Sequence, residues 1–149
     1  MTQLSNYDVS RACDAVVKES RRITPNDTPE VRSILLTLPH ARFVYAEGQN
    51  VGVMVPGTHA YGHKGHFRLY TIANTPRPDE NGDVDIELCV RRCFYIDEVS
   101  GEEYPGLASN YLCDAKAGEE ITITGPYGDA FTMPDCNDAN LLMIGTGTG

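Results

Sequence analysis

Arg68-Leu69-Tyr70-Thr71 places a cation, an aromatic ring and a hydroxyl within four residues. The run 68–73 reads as a strand. The two-residue period of a strand sends Arg68, Tyr70 and Ile72 to one face and Leu69, Thr71 and Ala73 to the other. A molecule lying across the edge of such a strand meets both faces. A flavin dinucleotide has the matching needs: a pyrophosphate for the guanidinium, a ring face for the aromatic side chain and a ring nitrogen for the hydroxyl.

Two further segments carry chemistry of the same kind. Leu88-Cys89-Val90-Arg91-Arg92-Cys93-Phe94-Tyr95 has adjacent cations at its centre. Alternation points them to opposite faces, so one of them meets a ligand or snorkels to solvent. In Gly106-Leu107-Ala108-Ser109-Asn110 the small residues let a ligand approach the backbone. Ser109 is expected to cap a helix with 110–115 as its body. The start of that helix offers N–H groups with a partial positive charge, which suits a pyrophosphate.

Other chemistries find no support. His59, His63 and His66 share a glycine-punctuated loop with no Cys, Asp or Glu at ligand spacing, so no metal site is expected. Cys89 and Cys93, evenly spaced, are expected on one side of a single strand, as packing rather than a redox pair. No Ser/His/Asp or paired-carboxylate arrangement stands out.

The elements that must position these residues are short and punctuated by turns. Strands are expected at 14–24 and 31–38, separated by Thr24-Pro25-Asn26-Asp27-Thr28-Pro29, and at 51–55, where Pro56-Gly57 stops the run. Asn81-Gly82 marks a turn before a long strand at 84–95. Ile121-Thr122-Ile123-Thr124 is a strand expected to end in a turn at Gly125-Pro126-Tyr127-Gly128. A last apolar run, Leu141-Leu142-Met143-Ile144, leads into Gly145-Thr146-Gly147-Thr148-Gly149 and reads as the first strand of something else. At least six short strands and one helix point to a closed antiparallel barrel rather than βαβ units. Residues 1–12 are polar and read as a flexible arm.

Composition bounds the possible partners. A chain of 149 residues suits one domain with a real core. Its net charge of −9 argues against nucleic acid and anionic membrane, whose phosphates call for clustered Lys and Arg. The acidic stretches 79–85 and 97–103 read as solvated loops. Five cysteines without CxxC spacing, and no signal-peptide pattern over 1–20, favour free thiols in a reducing cytoplasm. No apolar run approaches membrane-spanning length.

Taken in order, Arg68-Leu69-Tyr70-Thr71, Cys89-Val90-Arg91-Arg92 with Tyr95, Gly106-Leu107-Ala108-Ser109-Asn110, Gly125-Pro126-Tyr127-Gly128 and Gly145-Thr146-Gly147-Thr148-Gly149 resemble plant-type ferredoxin–NADP⁺ reductases. Glu47-Gly48-Gln49 before a Val-Gly-Val strand is similar to that family too. The resemblance runs from about residue 16 to the end. It implies a mainly β fold, a six-stranded antiparallel Greek-key barrel with one capping helix. Residues 13–140 would form this FAD-binding domain, and 141–149 would supply the first strand and glycine turn of an NAD(P)-binding domain.

By the same resemblance Arg68 contacts the FAD pyrophosphate and Tyr70 packs on the flavin, next to Leu69. Thr71 stands where a serine hydroxyl usually lies near the reactive flavin nitrogen N5, which makes Tyr70 and Thr71 the catalytic pair. Cys89, Val90 and Arg91 line the adenine–ribityl side, and Arg91 takes the place of a common lysine near the NADP phosphate. Tyr95 stacks on the adenine. Leu107, Ala108 and Ser109 form the pyrophosphate loop, with Ala108 where many members have cysteine. Thr148 approaches the nicotinamide nucleotide. The implied activity passes electrons between NADPH or NADH and a ferredoxin-type carrier or an oxygenase component, through FAD. The alternative is a flavin-binding barrel module with no nicotinamide oxidation of its own. The terminal glycine run favours the first.

Overall fold

A computed structural model describes residues 7–38, 43–58, 64–129 and 131–144, the side chains of 58, 64 and 65 excepted. Strands β1 (Cys13–Arg22), β2 (Val31–Leu38), β3 (Asn50–Thr58), β4 (Lys64–Thr71) and β5 (Val84–Arg91) are followed by the short β6 (Phe94–Ile96) and β7 (Glu103–Pro105). Helix α1 (Leu107–Asp114) and strand β8 (Glu120–Tyr127) complete the order. Six strands form one antiparallel sheet in the order β4-β3-β8-β1-β2-β5, and β6 and β7 form a separate hairpin. Among the described residues no helix is long and apolar enough to cross a membrane.

The alternation of apolar residues sets the inner face. On β5, Val84, Ile86, Leu88 and Val90 are buried, whereas Asp85, Glu87 and Cys89 face the other way. Ala15 and Val17 of β1, Ile34 and Leu36 of β2, Val51 and Val53 of β3 and Ile121 and Ile123 of β8 meet them in one core. Each such aliphatic side chain larger than alanine contributes about 1.5–3 kcal/mol on burial. Helix α1 packs over β3, β4 and β5 and adds Leu112 and Cys113 to the core. The two outer strands of the sheet order also touch. Ile72, just past β4, bridges Leu88 of β5, and the Ala73 N–H donates to the Glu87 carbonyl at 2.8 Å.

Four local expectations are corrected. The strand expected at 84–95 breaks after Arg91. The Arg92 N–H still reaches the Glu30 carbonyl in register at 2.9 Å, but the Cys93 carbonyl accepts from Gly106 at 2.8 Å and the Cys93 N–H donates to Ser109 Oγ at 3.1 Å, so the ladder with β2 goes no further. Cys89 and Cys93 therefore do not share a strand. Gly125-Pro126-Tyr127 belongs to β8 rather than to a turn, because Tyr127 still pairs with Asn50 across a register shift. The Tyr127 phenol is held by the Asp8 carbonyl at 2.7 Å and the Thr124 hydroxyl at 2.8 Å. Residues 141–144 form no strand and are exposed; among the described residues no neighbouring strand pairs with their backbone. Ser109 is not the helix cap: Gly106 is, without a side-chain cap bond, and Ser109 lies inside the first turn.

Within the segment read as an arm, the Tyr7 ring packs on Phe67 at 5.2 Å and Tyr127 at 5.0 Å. Residues 1–6, the loop with His59 and His63, and the terminal segment with Thr148 lie outside the described residues. One turn tolerates no side chain. Gly48 has φ +82°, and a Cβ there would fall 2.1 Å from the Phe131 carbonyl oxygen. Gly48→Ala is expected to cost about 1–3 kcal/mol, from the left-handed backbone and the displaced segment, read as a lower urea midpoint at unchanged slope.

Candidate functional site

Strand β4 places the first cluster. Arg68 pairs with Val53 and Tyr70 with Val51, so both side chains rise from the inner face, toward the side that α1 covers. Tyr70 is half-buried against the core. Its phenol is pushed up to about 12, first by burial and then by the nearby Cys113 and Cys93 thiols, with Arg68 opposing. Tyr70 therefore presents a neutral ring and hydroxyl at any ordinary pH. Arg68, Tyr70, Cys93 and Cys113 thus form one neighbourhood.

Arg68 has one hydrogen bond among the described residues, from Nη1 to its neighbour's carbonyl on Phe67 at 2.9 Å, and no carboxylate partner. In a chain with 21 acidic and 12 basic residues, a half-buried guanidinium left unpaired suits an incoming anion. The start of α1 adds donors. Its first intrahelical bond runs from Asn110 N to Gly106 O at 3.0 Å, which leaves the N–H groups of Leu107, Ala108 and Ser109 ahead of the ladder. No acidic side chain occupies that first turn. Ala108 and Ser109 are themselves buried, so they can meet a ligand only through the backbone, whereas Leu107 is exposed.

Other side chains hold this helix end in place. Ser109 Oγ accepts from Cys93 N at 3.1 Å and donates to Gly106 O at 3.2 Å, and Asn110 Nδ2 donates to the Cys93 and Gly106 carbonyls, each at 2.9 Å. Arg92 completes the brace, donating to Glu30 at 2.7 Å and to Asn110 and Asp114 at 2.8 Å each. Of the two adjacent arginines, Arg92 is the structural one. Its hydrogen bond to Asp114 is the main cause of a raised pKa.

Glu30, which also accepts from Arg32 at 2.8 Å, is held below the usual carboxylate range by Arg32 and then Arg92. A depressed carboxyl stabilises the fold above its unfolded value of about 4.3 and loses that contribution as pH falls toward the folded value. Glu30→Gln is expected to flatten the acid limb of stability below about pH 5, measured by urea unfolding across a pH series.

Arg91 is exposed and makes no ion pair among the described residues. It opens onto a cleft of about 600 Å³ shared with Glu30, Cys93, Phe94 and Glu103. Beside it, on the β6–β7 hairpin, the Tyr95 and Tyr104 rings stack at 5.6 Å and 23°, leaving Tyr95 more than half exposed. Val90 is not brought to this surface, since its side chain lies in the core and the Cys113 thiol faces its carbonyl at 3.9 Å. Cys89 lies half-buried on the outer face, its thiol pushed up by burial.

Leu69 and Thr71 sit on the side of β4 opposite Arg68 and Tyr70. Thr71 is exposed and donates to Asn50 Oδ1 at 2.8 Å. Because β4 ends the sheet order, a ligand across that edge can meet both faces. Among the described residues no group of three or more His, Cys, Asp or Glu is placed to hold a metal ion. Sequence reasoning overlooked Asn50, Glu30 and Asp114. For Asn50 one signal existed, its place directly after Glu47-Gly48-Gln49.

Residues 14–131 match the model of the oxidoreductase FAD-binding domain family. A ferredoxin–NADP reductase of Spirulina sp is 38% identical over 122 residues, 82% of this chain and 42% of that protein. The ferredoxin–NADP reductase of Synechocystis is 44% identical over 105 residues, 70% of this chain and 25% of that protein. The chain thus spans less than half the length of these relatives. Among solved structures, ferredoxin–NADP⁺ reductase from Plasmodium falciparum superposes with TM-score 0.61 at 22% identity, over 86% of this chain and 44% of that one. The cytochrome b5 reductase domain of Ulva prolifera nitrate reductase superposes with TM-score 0.57 at 19% identity, over 78% of this chain and 41% of that one. Both share the fold.

Proposed function

Because the chain belongs to the oxidoreductase FAD-binding domain family, we propose that it is the flavin-holding part of a ferredoxin–NADP⁺ reductase-type enzyme. That enzyme passes electrons between NADPH or NADH and a ferredoxin-type carrier or an oxygenase component. One observation carries the reading: among the described residues the half-buried Arg68 guanidinium has no carboxylate partner, and it stands on a strand that α1, with its unbonded first N–H groups, packs against. A dinucleotide pyrophosphate fits that donor set.

In this proposal Arg68 and the N–H groups of Leu107, Ala108 and Ser109 hold the pyrophosphate. Tyr70 lies on the flavin ring beside Leu69, and Thr71 meets N5 across the strand edge. Tyr95 takes the adenine, while Cys89 and the Val90 backbone flank the adenine–ribityl side. Arg91, in its open cleft, receives the phosphate of the nicotinamide nucleotide. The flavin supplies the redox chemistry when bound, and the protein orients it and shields one face. The Ile72–Leu88 bridge supports closure of the six strands into a Greek-key barrel, with α1 over one end. Residues 13–140 would be the FAD domain, and 141–149 would open the nucleotide-binding one. Five free cysteines fit a reducing compartment such as the cytoplasm.

The folded chain is expected to take up FAD in about equimolar amount and turn yellow. Titration followed by absorbance and by flavin fluorescence tests this. A preparation with a native β-rich circular dichroism spectrum that takes up no FAD would sink the proposal.

A further inference from the structure

We propose that Asn50 is a positioning residue that fixes the direction in which the Thr71 hydroxyl donates, and so biases the site toward reduced FAD. The inference rests on the reading above, which puts Thr71 beside the flavin N5.

Asn50 opens β3 and stands opposite Thr71 on β4 and Tyr127 on β8 at once. Its amide therefore spans three strands. Oδ1 accepts the Thr71 hydroxyl proton at 2.8 Å, and Nδ2 faces the Tyr127 carbonyl at 3.5 Å. A carbonyl can only accept, so turning the amide over would set two oxygens against each other on the Tyr127 side. Tyr127 thus decides which end of the Asn50 amide meets Thr71.

A hydroxyl has one proton and two lone pairs. With its proton directed at Asn50, Thr71 offers only lone pairs to a molecule at the strand edge. Oxidised flavin has an acceptor at N5, which finds no donor there. Reduced flavin has an N–H at the same atom, and that finds an acceptor. The two forms are bound unequally for this reason alone, and unequal binding of two redox forms is a shift of midpoint potential.

The test compares the wild-type chain with Asn50→Ala, Thr71→Val and the double variant. Affinities for oxidised and reduced FAD, and the two-electron midpoint potential, are measured for each. Asn50→Ala frees the Thr71 proton to point at N5. Oxidised FAD should bind more tightly and reduced FAD about as before, since a freed hydroxyl can still turn a lone pair to an N–H; their ratio should change about tenfold, a fall of about 30 mV for a two-electron couple. In the Thr71→Val background the same change should move nothing. Asn50→Val, which keeps a strand-forming residue, serves if the alanine variant folds poorly, with the same sign expected.

An unchanged ratio, a shift of opposite sign, or an equal shift in the Thr71→Val background would overturn the inference. A merely structural role for Asn50 would weaken both redox forms together, and that result counts against it too. Failure of the underlying reading shows separately, as a wild-type chain that takes up no FAD before any variant is compared.

Discussion

Arg68→Ala is expected to weaken FAD binding by about 1.5–3 kcal/mol, roughly ten- to 150-fold, while the sheet stays folded. The magnitude follows from losing a charge-assisted bond to the pyrophosphate at a half-buried position, where water screens it less than at the surface. The fold should survive because the native Arg68 side chain has a single bond among the described residues, to its neighbour's carbonyl. FMN, which has no adenylate half and no pyrophosphate, should lose much less. Isothermal titration with both flavins reads the difference directly. Equal losses for FAD and FMN would mean that Arg68 serves something other than the pyrophosphate.

Arg92→Ala should act on the other side of the balance. It removes donors to Glu30, Asn110 and Asp114 together, and leaves Glu30 with Arg32 as its remaining cation. Arg92 and Glu30 are each only 19% exposed, while Asp114 is 70% exposed and contributes little. A net loss of about 2–3 kcal/mol of stability is expected, mostly from the Glu30 and Asn110 bonds. It should appear as a lower urea midpoint with an unchanged slope. Arg92→Lys keeps the charge but not the forked geometry, so it should recover only part of the loss. If Arg92→Ala left the midpoint within experimental error, the brace between α1, β2 and β5 would be ornamental.

The contrast between Arg91 and Arg92 also shows how far the sequence could be read. Alternation placed them on opposite faces, and they do diverge, one to an open cleft and one into a brace. Which of them was left open and which met Glu30 was not legible, because Glu30 lies some sixty residues earlier in the chain and charge pairing at that range has no local signature. The runs of β-branched and aliphatic residues were legible for β1, β2, β3 and β5, since burial of one face imposes a two-residue period, whereas the polar start of β4 at Lys64-Gly65-His66 read as loop. That period also carried Val84 to Arg91 on past the true end of β5. The break at Cys93 comes from its bonds to Gly106 and Ser109, which no short window on the sequence contains.

Ser109 illustrates a different failure. A serine before a short helix reads as a cap, yet here Gly106 takes that place and the Ser109 hydroxyl bridges to Cys93 instead. For Leu141 to Ile144, hydropathy suggested a strand, but a strand is a property of pairs and this run has none among the described residues. Of the candidate site, Arg68, Tyr70 and Thr71 were singled out by type and spacing. Asn50 was missed because its importance is positional, set by having two strands directly opposite it.

The place of β8 has a consequence for the order in which this molecule can come together. Of the eight described strands it comes last in sequence, yet it sits in the middle of the sheet, between β3 and β1. Without it the strands fall into two groups, β3 with β4 and β1 with β2 and β5, joined where residues 72–74 meet β5. The keystone thus follows all five of its sheet partners in sequence. Each group can gather locally as the chain emerges, but Val51 and Val53 on one side and Ala15 and Val17 on the other have no shared floor until Ile121 and Ile123 arrive. Contacts of such long sequence separation are slow to form, and the half-sheets that wait for them expose apolar faces and unpaired edges. A mutation in β8 that leaves the final structure intact can therefore still lower the yield of folded protein, through the time its two halves spend apart.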